Sequence, residues 1–132
     1  MTETGIGVLV VDDQAPFRRA ARAVLERIDG FELLGEARSG EEAVALAEDL
    51  RSSLVLMDIH MPGMGGIEAS RLIVSGDPEV VIVLCSTQDL RDIPSTVAAS
   101  GARAYLSKET FGVDALRRIW TTSRAGRGAA DR

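Results

Sequence analysis

Cysteine, aromatic residues and long apolar runs are all scarce in this chain of 132 residues. Its single cysteine, Cys85, excludes an internal disulfide, which suits a reducing compartment. No apolar run approaches the roughly 18 residues that a membrane helix needs, and no secretory leader is recognisable at the amino terminus. We therefore expect a cytoplasmic protein that neither spans a membrane nor is exported by an obvious route.

Positive charge is also in short supply, since the formal net charge is −5. Direct binding of nucleic acid needs a basic surface, so we expect none by this chain. Lys108 is the only lysine among 15 basic residues. A lysine is a compact point charge on a flexible stem, which suits pairing with one oxygen of a phosphoryl group.

The apolar residues are mostly aliphatic, and they occur as short strands that alternate with segments of helical periodicity. Strands are predicted at 6–11, 31–37, 54–57, 80–85 and 103–106. Helices are predicted at 14–28, 39–50, 67–75, from a late start at Pro94 to about 100, and from 111 or 112 to about 123. Five strands alternating with five helices in one domain predict a doubly wound, parallel α/β sheet with right-handed crossovers.

Polar side chains follow four of these strands, at the point where each strand ends. Asp12 and Asp13 follow the first strand, Asp58 the third, Ser86 the fourth and Lys108 the fifth. Because the carboxyl ends of parallel strands lie along one edge of the sheet, these side chains should share one cleft. Neighbouring carboxylates repel unless a cation neutralises them, and Mg²⁺ takes carboxylates together with a phosphate oxygen. The alternative for the first pair is that Asp13 caps the following helix.

Asp58 is the candidate nucleophile of this cleft. A carboxylate can attack a phosphoryl donor and become an acyl phosphate, while a metal offsets the charge that accumulates. Ser86 would then hydrogen-bond one phosphoryl oxygen, and Lys108 would pair with another. Thr87 offers a second hydroxyl, although the spacing from Asp58 and Lys108 favours Ser86.

Together these motifs resemble the receiver domain of bacterial two-component response regulators. The resemblance rests on Val-Val-Asp-Asp at 10–13, Met-Asp-Ile-His-Met-Pro-Gly-Met-Gly-Gly at 57–66, Ser86, and Tyr-Leu-Ser-Lys at 105–108. Each motif is short, but their order and spacing are specific. The resemblance implies a flavodoxin-like sheet with strand order 2-1-3-4-5. It also implies a receiver domain at 1–123 and a flexible tail or the start of a linker at 124–132.

The same resemblance implies which residues bind the metal and the phosphate. Asp58 corresponds to the phosphoacceptor, and it shares Mg²⁺ with Asp12 and Asp13. His60 corresponds to the residue that gives the metal its backbone carbonyl. Since histidine is unusual at that position, the alternative is a solvated side chain whose backbone alone matters.

A conformational switch is implied as well. Ser86 corresponds to the switch hydroxyl, Lys108 to the phosphate-pairing lysine, and Tyr105 to the aromatic residue that moves between outward and inward rotamers. The alternative for Tyr105 is a half-buried strand aromatic with its hydroxyl in water.

Partners follow from the resemblance too: a sensor histidine kinase supplies the phosphate, and the domain is a monomer or a weak, phosphorylation-dependent dimer. The domain is not an enzyme beyond its own phosphorylation and dephosphorylation. Lys108-Glu109 and Ala125-Gly126 look most like the NarL/FixJ-like subfamily, whose full-length members end in a helix-turn-helix DNA-binding domain.

Two other classes of function compete with this interpretation. A phosphatase of the haloacid dehalogenase type also uses an aspartate after an apolar strand, but it needs a second acid two residues on, where this chain has His60. A nucleotide-binding domain needs a glycine-rich phosphate motif, and neither G-x-G-x-x-G nor G-x-x-x-x-G-K-[ST] occurs.

Overall fold

A computed structural model describes residues 5–87 and 95–130, and within these residues the chain forms one parallel sheet. The strands are β1 Ile6–Val11, β2 Phe31–Ala37, β3 Leu54–Asp58, β4 Val81–Ser86 and β5 Ala104–Ser107. Their order across the sheet is β2-β1-β3-β4-β5, and all neighbours are parallel. The predicted fold class and strand order are therefore confirmed.

Helices pack on both faces of the sheet. The α-helices in the described part of the chain are α1 Ala15–Glu26, α2 Gly40–Leu50, α3 Gly66–Gly76 and α4 Val113–Ala130. β1, β3 and β4 are buried along their whole length, which explains why their sequences are continuous aliphatic runs. Trp120 of α4 is 6% exposed and belongs to the core, as its helical spacing indicates.

The fourth predicted helix has a different geometry from the others. It is described only over Ser95–Ser100, where it is a 3₁₀ segment. The Ser100 hydroxyl donates to the Val97 carbonyl at 2.6 Å and accepts from the Ala102 amide at 3.1 Å, so it ends the segment in a tight turn. The predicted start at Pro94 lies outside the described residues.

Two predicted helix ends can be compared with the structure. Ser39 caps α2 by accepting from the Glu42 amide at 3.1 Å, which agrees with the predicted helix start at residue 39. The Glu42 carboxylate accepts from the Arg38 amide, one residue earlier than a strict capping box would have it. α4 continues to Ala130, well past the predicted end near Ser123, in a segment rich in alanine. The domain boundary at 123 stays a prediction.

Candidate functional site

Three carboxylates meet at the carboxyl edge of the sheet, as the strand-end pattern predicts. Asp12 follows β1 directly, Asp13 is next to it, and Asp58 is the last residue of β3. One carboxylate oxygen from each lies within 4.8 Å of the other two. Asp12 is 0% exposed and Asp58 5%, so water solvates these charges poorly.

Lys108 reaches the same cluster from the end of β5. Its Nζ lies 2.5 Å from Asp12 Oδ2 and 3.2 Å from Asp58 Oδ1. Burial alone would lower the pKa of this ammonium, but the bonds and charges of the two aspartates outweigh it, so the pKa of Lys108 is raised. The lysine is therefore held as a cation against the carboxylates.

The carboxyl of Asp58 has a raised pKa. Burial is the main cause, and repulsion from Asp12 adds to it, while Lys108 opposes the rise. Three carboxylates facing one ammonium carry a surplus of two negative charges. A buried set of hard oxygen donors with this surplus fits a divalent cation such as Mg²⁺.

Asp12 also fixes the start of α1. Its Oδ1 accepts from the Gln14 amide at 2.8 Å, and its backbone carbonyl accepts from Arg18 Nη1 at 2.8 Å. Asp13 Oδ2 accepts from the Gln14 side chain at 3.3 Å instead. The carboxylate that binds a backbone amide at the helix start is thus Asp12, and the alternative in which Asp13 caps the helix is wrong.

Ser86 lies beside the cluster, as the last residue of β4. It is 1% exposed, whereas Thr87 is exposed, which agrees with the choice of Ser86 over Thr87. The Ser86 carbonyl accepts from the Lys108 amide at 2.9 Å, so the end of β4 is joined to the chain segment that carries Lys108.

His60 and Tyr105 are the two remaining predicted site residues. His60 is exposed, two residues beyond Asp58 in the loop before α3. Tyr105 is partly buried in β5, opposite Leu84 of β4, and packs against the core on the side of α2 and α3. The structure therefore brings together Asp12, Asp13, Asp58 and Lys108 through their side chains, and the end of β4 places Ser86 next to Lys108. Tyr105 lies within β5, next to the buried Leu106.

Two contacts of the site were missed by the sequence analysis. The Lys108 Nζ lies over the ring of Phe17, 4.8 Å from its centroid. Gly66, the first residue of α3, donates its amide to the Ile59 carbonyl at 3.0 Å, and a Cβ there would lie 1.9 Å from the Asp58 carbonyl oxygen. Phe17 looks like any member of an apolar helical stripe, but the glycine pair at 65–66 was a usable signal for close approach of backbones.

The family model for the response regulator receiver domain matches residues 8–120. The chain belongs to this family. The resemblance that the motifs suggested is confirmed, and residues 57–66 and 105–108 are motifs of a receiver domain.

Relatives of known identity agree with this assignment. Response regulator GacA of Pseudomonas protegens is 39% identical over 103 residues, covering 78% of this chain and 48% of GacA. Response regulator UvrY of Escherichia coli K12 is 38% identical over 122 residues, covering 90% of this chain and 56% of UvrY. The receiver domain thus spans about half the length of the curated relatives that it matches.

A solved structure shows the same architecture. The two-component response regulator of the LuxR family from Aurantimonas sp. SI85-9A1 superposes with a TM-score of 0.81 at 27% identity, covering 90% of this chain and 85% of that one. The comparisons give the phosphatase alternative no support. No helix in the described part of the receiver domain is long and apolar enough to cross a membrane.

Proposed function

We propose that this receiver domain is a phosphorylation-activated switch that takes phosphate from a sensor histidine kinase onto Asp58. The observation that supports this most is the setting of Asp58. Its carboxylate is 5% exposed, lies 3.2 Å from the Lys108 ammonium and shares a pocket with Asp12 and Asp13. A structural ion pair would need one carboxylate, and this pocket holds three.

In the proposed reaction, an Asp58 oxygen attacks the phosphorus of a phosphohistidine, the P–N bond breaks, and the imidazole leaves. The product is an acyl phosphate on Asp58. Asp12, Asp13, Asp58 and the His60 carbonyl would hold Mg²⁺, which when bound offsets the charge between the carboxylate and the phosphoryl oxygens.

The other polar residues orient the incoming group. Lys108 already faces Asp58, so its ammonium can pair with a phosphoryl oxygen once the metal has satisfied the carboxylates. The Ser86 hydroxyl donates to another phosphoryl oxygen. To do so Ser86 moves towards the phosphoryl group, and this movement changes the space beside Tyr105. A change in the Tyr105 rotamer then alters the surface of β5 and of the residues that flank it.

The setting of the switch follows from the same proposal. The domain catalyses only its own phosphorylation and dephosphorylation. It acts in the cytoplasm, a reducing compartment in which the buried thiol of Cys85 stays reduced. Burial raises the pKa of that thiol to about 12, so Cys85 is a core residue and not a second nucleophile. By analogy with the longer relatives, we propose a carboxyl-terminal DNA-binding output domain in the parent protein and a weak dimer on phosphorylation.

Labelling with a small acyl phosphate tests the proposal. We expect one Mg²⁺-dependent phosphate per wild-type chain and none on Asp58→Asn, because an amide is not a competent nucleophile. Asp49→Asn, an exposed aspartate of α2, is the matched control and should label like the wild type. Mg²⁺-dependent phosphate on the Asp58→Asn variant outside this cleft would refute the assignment, and steady turnover without an adduct would favour a phosphatase.

A further inference from the structure

An aromatic pair lies beside the ammonium of Lys108. The Nζ lies 4.8 Å from the centroid of the Phe17 ring, in the first turn of α1. The Phe17 ring packs on Phe111, with centroids 5.0 Å apart and planes tilted by 55°. Phe111 lies between β5 and α4, so the pair joins the start of α1 to the loop that follows β5.

The geometry gives the ring a role that the aspartates cannot fill. Both aspartates that hold the ammonium are also candidate ligands of the metal, and Asp58 is also the nucleophile. During the reaction their oxygens are engaged elsewhere. Among the contacts described for this ammonium, the Phe17 ring is the one that the proposed reaction leaves in place.

A fixed ammonium matters because a lysine stem is long and flexible. Pairing with a phosphoryl oxygen requires the charge to be at one position when the bond forms, and prior placement lowers the barrier. The negative face of an aromatic ring attracts a cation most strongly where water is excluded, and the Lys108 side chain is only 16% exposed.

We propose that Phe17 is a positioning residue that keeps the Lys108 ammonium at the phosphoryl site. This inference rests on the proposed phosphorylation of Asp58. Phe17 does not contact the reacting atoms itself, so it acts through Lys108. The chemistry it requires is an aromatic face, not merely apolar volume.

Phosphorylation rates test this requirement. Phe17→Leu keeps the apolar bulk but removes the ring, and we expect phosphorylation by a small acyl phosphate with saturating Mg²⁺ to slow by roughly 3- to 30-fold. Phe17→Tyr restores an aromatic face and should restore most of the rate. Phe31→Leu is the matched control, because Phe31 packs in the same core on Trp120, away from the site, and should leave the rate unchanged.

A spectroscopic measurement tests the contact directly. Because Lys108 is the only lysine, labelling the protein with ¹³C-lysine gives the signal of this one side chain. We expect a ring-current shift of the Lys108 ε-methylene in the wild type that persists with beryllofluoride and Mg²⁺ and disappears in Phe17→Leu. If Phe17→Leu does not fold, Phe17→Met provides the same comparison.

The outcomes separate this inference from the proposed function. A wild-type protein that is never phosphorylated would overturn the function. A wild type that is phosphorylated, with Phe17→Leu reacting at the same rate, would overturn the role of Phe17 alone. Loss of the ring-current shift on adding beryllofluoride would also overturn it, since the ring would then not hold the ammonium in the active geometry.

Discussion

The fold disfavours the ionised form of the Asp58 carboxyl. Burial and the neighbouring Asp12 raise the pKa of the Asp58 carboxyl above its ordinary value of 3.8, in spite of Lys108. The folded protein therefore binds this proton more tightly than the unfolded chain does. The ionised carboxylate costs stability once the pH exceeds both pKa values, and this cost is absent below 3.8. The proposed phosphoacceptor thus lowers the free energy of unfolding of the protein that contains it.

This reasoning predicts the pH dependence of stability in metal-free protein. Asp58→Asn should melt a few degrees above the wild type at neutral pH, because an amide has no charge to desolvate. The difference should appear as pH rises from 3.8 through the raised folded pKa and then stay constant. Thermal unfolding at a series of pH values in the presence of a chelator measures it, with Asp49→Asn as the control. A difference that grew on acidification would contradict the assigned direction of the shift.

The surplus of negative charge in the site predicts stabilisation by Mg²⁺. A ligand that binds only the folded state stabilises it by about 2.7 kcal/mol at a hundredfold excess over its Kd. The melting temperature of the wild type should rise with Mg²⁺, and that of Asp13→Ala should rise far less. Asp49→Ala, which removes an exposed carboxylate of α2, should behave like the wild type. Equal shifts in Asp13→Ala and the wild type would remove Asp13 from the metal site.

Residues at strand ends could be predicted from sequence because their position alone decides where they lie. An aspartate at the end of a buried parallel strand lies at the carboxyl edge of the sheet. Asp12 and Asp58 could therefore be placed there from the pattern. Which of two adjacent aspartates accepts from the Gln14 amide depends on how the chain turns after β1, and the pattern carries no such information. Phe17 fits an ordinary helical stripe equally well, so its contact with Lys108 needed the structure.

At the scale of the elements, the junction of β3 and α3 is the tightest backbone contact near the site. A Cβ on Gly66 would lie 1.9 Å from the Asp58 carbonyl oxygen and 2.8 Å from its carbonyl carbon. Backbone atoms cannot move away from an added Cβ as the end of a flexible side chain can. The start of α3 can therefore lie against the end of β3 only because residue 66 has no side chain.

Two substitutions in the same helix test this junction. Gly66→Ala should lower the free energy of unfolding by about 2–4 kcal/mol and slow phosphorylation of Asp58, because α3 must move away from the strand end. Gly76→Ala, at the other end of α3, meets no described atom within 4 Å and should be neutral or slightly stabilising. Similar losses in both variants would show that an added methyl group anywhere in α3, and not the close approach at residue 66, causes the effect.

Helices and strands could be predicted from the sequence where local residues determine their type and their ends. Buried strands and the capped start of α2 agree with the pattern, since two-sided burial and the Ser39 cap are local properties. The 3₁₀ geometry of Ser95–Ser100 depends on how the chain closes into β5, and α4 continues through Gly126 and Gly128, where the sequence pattern indicates a helix end. Neither is visible in the apolar spacing.

At the scale of the whole molecule, four separate segments of chain meet at one edge, and β4 and β5 connect that edge to Tyr105. The Lys108 amide donates to the Ser86 carbonyl, and Ser86 is paired with Ser107 across the two strands. Tyr105 lies on β5 two residues before that pair, next to Leu84. A displacement of Ser86 or Lys108 at the proposed phosphoryl site is therefore transmitted to β5, the strand that carries Tyr105.

Backbone amide spectra with beryllofluoride and Mg²⁺, a phosphoryl mimic, test this connection. We expect shifts around Asp58 and also from Ser95 to Lys108. In the proposed switch, the outward and inward rotamers of Tyr105 differ in free energy by so little that one new hydrogen bond at Ser86 redistributes them. Asp58→Asn with the same additions is the control and should show neither set. Shifts confined to the neighbourhood of Asp58 would mean that the site accepts phosphate without transmitting it. The domain would then act as a phosphate sink, because a signalling relay requires the change in free energy at Asp58 to reach a surface that a partner can bind.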